Sequence, residues 1–170
     1  MPLKKINQQG FSLLEVLIAV VVVSIGFLAT ARMQVEGLRS SQSAYFSSQA
    51  TLMMRDMADR MRANSNGVTD GHYRNVETSN STAWPGCIAS ESECTAEDVA
   101  KADLASWSRY LYAPPNAGEF RPTLPSSANI EAKGTVTYDA SENTYTVTVS
   151  WSERIEAIDT EQVISMQVFP

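Results

Sequence analysis

An apolar stretch of about 21 residues, from Phe11 to Ala31, contains one acidic residue, Glu15. As an α-helix this stretch is about 31 Å long, which is enough to cross the hydrocarbon core of a bilayer. A carboxylate in hydrocarbon is costly, and a helix that serves only as an anchor gains nothing from it. We therefore expect Glu15 to have a partner that compensates for its burial.

A short basic and polar leader precedes the apolar stretch and ends in Gly10. Its Lys4 and Lys5 favour a cytoplasmic amino terminus and an external remainder, and two arginines downstream reduce this charge contrast. One alternative is a secretory signal peptide cleaved after Ala29-Thr30-Ala31, and another is an uncleaved signal anchor. The polar residues directly before Phe11 and the length of the apolar run fit both alternatives less well.

The run Gly10-Phe11-Ser12-Leu13-Leu14-Glu15-Val16 closely resembles the class III signal of type IV prepilins and of type II secretion pseudopilins. This resemblance implies that a prepilin peptidase cuts between Gly10 and Phe11 on the cytoplasmic side and that Phe11 is then N-methylated. Glu15 lies about 6 Å along the helix from the new terminus, on nearly the same face. The terminal amine of a neighbouring subunit would hold Glu15 ionised during subunit assembly, whereas snorkelling to the membrane interface is the alternative.

The helical pattern continues beyond the apolar stretch to about Ala63, and the segment Asn64-Ser65-Asn66-Gly67 is predicted to end it. Apolar residues at helical spacing predict a stripe that packs on a globular domain. The stripe consists of Phe46, Ala50, Met53, Met57 and Met61. Because methionine is adaptable, a partner-binding surface is the alternative for this stripe.

A second helix is predicted after a long polar loop that spans Val68 to Ser92. Thr95, with Asp98 three residues later, fits a helix N-cap, and Pro114-Pro115 follows the predicted end at about Tyr112. Four apolar residues share one face of this helix, and its tryptophan is predicted to lie in the core. They are Ala100, Leu104, Trp107 and Leu111.

The carboxy-terminal third has the alternating pattern of β-strands. It predicts strands at Gly134 to Asp139 and at Thr144 to Ser152, a hairpin turn at Ala140 to Asn143, and another strand from about Glu161 to Phe169. The expected fold is α+β and pilin-like, with the long helix on one face of a three- to four-stranded antiparallel sheet.

The two cysteines, Cys87 and Cys94, lie in the part expected to be exported. An oxidising compartment such as the bacterial periplasm favours a disulfide between them, worth roughly 2 to 3 kcal/mol. A metal site is the alternative, but two thiols with only His72 nearby in sequence form a poor ligand set. We therefore predict a disulfide and no metal or other cofactor.

Composition narrows the function classes further. The chain has 170 residues and a formal net charge of −6, and loss of the leader removes two basic residues and no acidic one, so nucleic acid is an unfavourable partner. The lone histidine, His72, lies in a polar loop and is expected to be solvated. No catalytic constellation is recognisable, and we predict that the chain is not an enzyme.

Downstream features resemble minor pilins of the PilV type, which take part in type IV pilus assembly. These are the cysteine pair, Asp103-Leu104 with Trp107 and Leu111, and the segment Tyr145 to Trp151. Arg32 stands where many major pilins have a proline, and the end of the chain has no cysteine loop, which favours a minor subunit.

The resemblance implies a minor-pilin complex that initiates or caps the pilus and supports twitching motility. The expected partners are the prepilin peptidase, other minor pilins, the assembly machinery and the inner membrane. The expected parts are a leader at 1–10, a transmembrane helix at 11–31, its amphipathic continuation at 32–63 and a periplasmic domain at 64–170. A type II secretion pseudopilin and a membrane-anchored adhesion or binding domain that never polymerises are the alternatives.

Overall fold

A computed structural model describes residues 12–79, 84–87, 93–113 and 118–169. The first described element is a helix of 51 residues, α1 (Leu13–Ala63). The prediction of one long helix that ends near Ala63 is confirmed. The leader and the junction between Gly10 and Phe11 lie outside the described residues.

The chain divides into two compact units, Met1–Gln42 and Ser43–Pro170. In the first unit, every described residue of α1 is exposed. This part contains a window long and apolar enough to cross a membrane, with a mean hydropathy of 2.6. The apolar side chains of this unit therefore find no protein core within it.

In the second unit, the remaining turns of α1 bury one face. The buried residues are Ala50, Met53, Met54, Met57, Ala58 and Met61, and Phe46 packs at the edge of the same core. The predicted stripe is thus core, not a free partner surface. Met54 and Ala58 widen it beyond the predicted residues because an apolar face of a globular helix spans more than one row of side chains.

The end of α1 is followed at once by a short helix, α2 (Ser65–Thr69). Asn64 caps this helix, since its Oδ1 accepts a hydrogen bond from the Gly67 N–H at 3.2 Å. A two-residue strand, β1 (Val76–Glu77), comes next. The prediction of an uninterrupted loop from Val68 to Ser92 was therefore wrong at its beginning, because the asparagine that ends one helix also starts another and a neighbouring strand pairs with β1.

The next helix, α3 (Ala96–Ser108), starts as predicted. Thr95 and Asp98 form a capping box in which each side chain accepts a hydrogen bond from the other residue's backbone N–H, both at 3.2 Å. The predicted end at Tyr112 is wrong by four residues. After Ser108 the chain forms tighter turns, and the Tyr110 carbonyl accepts a hydrogen bond from the Thr123 N–H at 2.8 Å, which directs the chain away from the helix axis.

Four antiparallel strands form one sheet in the order β1-β2-β3-β4. The three longer strands are β2 (Lys133–Asp139), β3 (Thr144–Ile155) and β4 (Ile158–Val168). All three predicted strands are present, and the turn between the first two lies where predicted. The last two are longer than predicted because they continue to a tight hairpin turn at Glu156 and Ala157, whose backbones have positive φ angles of 48° and 69°.

The core of the second unit lies between the buried face of α1, α3 and one face of the sheet. Trp107 is fully buried, as predicted, and its indole N–H donates to the Met53 carbonyl at 3.0 Å. A side chain on Gly134 would clash with the Trp107 ring, so a glycine in β2 makes room for it. The other large buried side chains include Trp151, Tyr73, Tyr145, Leu124, Val136, Val147 and Val149.

Candidate functional site: an apolar helix with an acidic first turn

Ser12 and Glu15 form the start of α1. The Ser12 hydroxyl accepts a hydrogen bond from the Leu14 N–H at 3.3 Å, and the Ser12 carbonyl accepts one from the Glu15 N–H at 3.0 Å. Glu15 therefore lies in the first turn, where the helix dipole favours a carboxylate. The residues that would complete the processing site, Gly10 and Phe11, lie outside the described part of the chain.

The side chains around Glu15 form an apolar surface. Those more than half exposed include Leu14, Leu17, Ile18, Val20, Val22, Val23, Ile25, Phe27 and Leu28. A contiguous apolar surface of this kind needs lipid or protein to cover it. It suits a bilayer, and it equally suits a bundle of similar helices.

The hydroxyls in this stretch are compatible with an apolar environment. Ser24 donates to the Val20 carbonyl at 2.7 Å, and Thr30 donates to the Phe27 carbonyl at 2.9 Å. Both side chains are thus satisfied by their own helix and need no water. Glu15 differs from them, because its carboxylate has no hydrogen bond or ion pair with any described residue.

A polar cluster holds the folded end of α1 to α3. Asp103 accepts a hydrogen bond from the Tyr73 hydroxyl at 2.5 Å and from Arg60 Nη1 at 3.3 Å. Arg60 also donates to Asp56 at 2.9 Å. Burial, followed by the hydrogen bond to Asp103, raises the pKa of Tyr73, which stays a hydrogen-bond donor at neutral pH.

Asn64 extends this cluster to the start of α3. Its amide donates to the Tyr73 hydroxyl at 3.0 Å and to the Ala96 carbonyl at 2.8 Å. One asparagine therefore connects the end of α1, the cap of α2 and the first turn of α3. This cluster was not predicted from the sequence, although an acidic residue on the apolar face of α3, three residues after Ala100, was a signal for a buried polar partner.

Cys87 and Cys94 form the predicted disulfide, with a Cα to Cα distance of 5.4 Å. Their sulfurs are therefore not available as the thiolate ligands of the alternative metal site. In the part of the chain that the structure describes, no three His, Cys, Asp or Glu side chains come together in a way that could hold a metal ion. His72 is partly buried in the turn after α2, so the expectation of a solvated ring holds only in part.

Comparison with family models gives two matches. Residues 5–31 match the prokaryotic N-terminal methylation motif, and residues 32–105 match the family described as Tt1218-like, type IV pilin Tt1218. Searches of curated proteins and of solved structures found no match. The methylation motif covers the apolar helix with Glu15, and the second match covers the remainder of α1 and most of α3.

Proposed function

From the type IV pilin role that both family matches support, we propose that this chain is a minor pilin of the PilV type. A prepilin peptidase removes residues 1–10 on the cytoplasmic side, and the new terminal Phe11 is N-methylated. The processed subunit crosses the inner membrane once, with the domain after α1 in the periplasm. It then joins other minor pilins in a complex that initiates or caps the pilus.

The observation that carries this proposal is Glu15 on an exposed apolar helix. The other side chains of that surface are apolar and can pack against lipid or against other helices. The hydroxyls of Ser24 and Thr30 already donate to backbone carbonyls of their own helix. Among the described residues of the apolar stretch, 12–31, Glu15 is the charged one, and its carboxylate has no hydrogen bond or ion pair. A terminal amine of an adjoining subunit supplies the opposite charge where helices leave the bilayer for a filament.

The proposed role is structural, and the second unit supports it. Its core is filled by large side chains from α1, α3 and the sheet, and the Asp103 cluster joins α1 to α3. We propose no catalytic role for His72 or for any other described residue.

Deletion of the gene tests this function against its alternatives. The proposal expects loss of surface pili and of twitching, restored by a wild-type copy supplied in trans. Loss of exoprotein release with normal piliation would instead identify a type II secretion pseudopilin. A deletion that changes neither would favour a membrane-anchored binding domain that never polymerises.

A further inference from the structure

Strand β4 lies at the edge of the sheet and has 11 residues. It pairs with β3 along its whole length, from Ile155 opposite Ile158 to Tyr145 opposite Val168. Among the described residues, no strand pairs with its other side. A long edge strand of this kind is a template for pairing with another chain.

The backbone groups on this free edge follow from the register. The Ser152 N–H donates to the Pro125 carbonyl, on the side of β3 away from β4, so the even-numbered residues of β3 face away from β4. The odd-numbered residues of β3 therefore bond to β4, and their partners in β4 have even numbers. The residues of β4 whose N–H and C=O groups point to the free edge are Asp159, Glu161, Val163, Ser165 and Gln167.

This edge has little of what usually protects one. Protected edges carry charged side chains, above all lysine, or proline or a β-bulge. The charged side chains here are Asp159 and Glu161, both in the first half of the strand. From Ile158 to Val168 there is no lysine, arginine or proline, and the pairing with β3 has no bulge. Apolar side chains are also exposed along it, with Ile158 at 68%, Val163 at 55% and Phe169 just beyond the strand at 69%.

The edge is complementary to itself. An antiparallel pair of two copies with a two-fold axis at Val163 brings Glu161 opposite Ser165 and Asp159 opposite Gln167. Neither acidic residue faces another one, whereas an axis at Glu161 would place two carboxylates opposite each other. The N–H and C=O groups of all five outward-facing residues in each copy are then hydrogen-bonded. Five residue pairs with two hydrogen bonds each make about ten hydrogen bonds.

The same register covers exposed apolar side chains. It places the exposed Ile158 of one copy beside Val168 of the other, which already lies in its own core, and brings the two exposed Val163 side chains together at the axis. We propose that β4 of one copy pairs antiparallel with β4 of a second copy about a two-fold axis at Val163, joining two four-stranded sheets into one. The proposal concerns the domain alone and does not depend on the minor-pilin function.

Oxidative cross-linking of the full chain in membrane vesicles tests this pairing. Val163→Cys is expected to form a disulfide-linked dimer, because residues paired at the axis have Cα atoms about 5.5 Å apart, within the range for a disulfide. Gln167→Cys alone is expected to give none, since two copies of this residue lie roughly 26 Å apart in the proposed register. Mixing Asp159→Cys and Gln167→Cys chains is expected to restore the cross-link.

A proline variant separates backbone pairing from chance contact. Ser165→Pro removes an outward N–H without disturbing the bonds to β3, and in the Val163→Cys background it is expected to abolish the dimer. Ser165→Ala keeps the N–H and is expected to preserve it. The proposal is overturned if Val163→Cys gives no dimer, if it links to a different protein instead, or if Gln167→Cys alone dimerises as efficiently.

Discussion

The two parts of α1 have the same backbone and opposite environments. Before residue 43 every described side chain is exposed, although the composition is strongly apolar. After it, six residues are buried against α3 and the sheet. One part therefore has its energetic partners inside the domain, whereas the other must find them in lipid or in other subunits. Substitutions in the two parts should accordingly change different measurements.

The largest effect is expected for Met57→Ala. Met57 is fully buried, so truncation leaves a cavity and should lower the free energy of unfolding by about 2 to 5 kcal/mol. The matched control is Met33→Ala on the same helix, where the side chain is 76% exposed and the change should be about 0.5 kcal/mol or less. Denaturant unfolding of the full chain in detergent measures both, and equal losses would contradict the contrast.

The next effect is expected for Asp103→Ala. This change removes the acceptor of the Tyr73 hydroxyl and of Arg60, and the loss should be about 1.5 to 3 kcal/mol in the same unfolding experiment. Asp59→Ala is the control, because the ion pair of Asp59 with Arg62 is exposed and worth about 0.5 kcal/mol. If both variants lose the same stability, the cluster does not hold α1 to α3.

In the first part of α1, Glu15→Gln should affect assembly and leave stability unchanged. Loss of the carboxylate should lower incorporation into sheared pili at least about tenfold, equivalent to about 1.4 kcal/mol. Glu36→Gln, on the same helix, should incorporate normally. Membrane insertion and processing of both variants should match the wild type, and normal incorporation of the Glu15 variant would remove its proposed role.

The smallest effect is a pH dependence from Tyr73. Its folded pKa is raised above the ordinary value of 10.0, so its contribution to stability is complete below about pH 10 and is lost as the pH rises further. The loss from one such group is at most about 1.4 kcal/mol per pH unit. Unfolding measured from pH 8 to 11 should therefore show a shallower decline for Tyr73→Phe than for the wild type, and identical slopes would contradict this assignment.

Local patterns were sufficient to predict most of the fold. The methionine and alanine spacing predicted the buried face of α1, the Thr95 and Asp98 pair predicted the start of α3, and strict alternation predicted β2 and β3. Each of these signals acts over a few residues, so a single sequence contains it. The Cys87–Cys94 disulfide was predictable in the same way, from two nearby thiols and an expected oxidising compartment.

Features that depend on distant partners could not be predicted. The end of α3 depends on a hydrogen bond between Tyr110 and Thr123, and β1 is too short to show alternation and exists because it pairs with β2. The Asp103 cluster joins residues 43 and 30 positions apart, at Arg60 and Tyr73. A polar residue on an apolar face indicates that a partner exists, but the sequence does not say which one.

The central claim is that the exposed half of α1 is kept as an assembly helix after removal of the leader. Mass spectrometry of the mature amino terminus, from protein isolated from its native membrane, tests it most directly. We expect a chain that begins at Phe11 and carries one methyl group on its terminal amine. A chain that begins at Met1 or beyond Ala31 would contradict the claim, because no terminal amine would then lie one helical turn from Glu15.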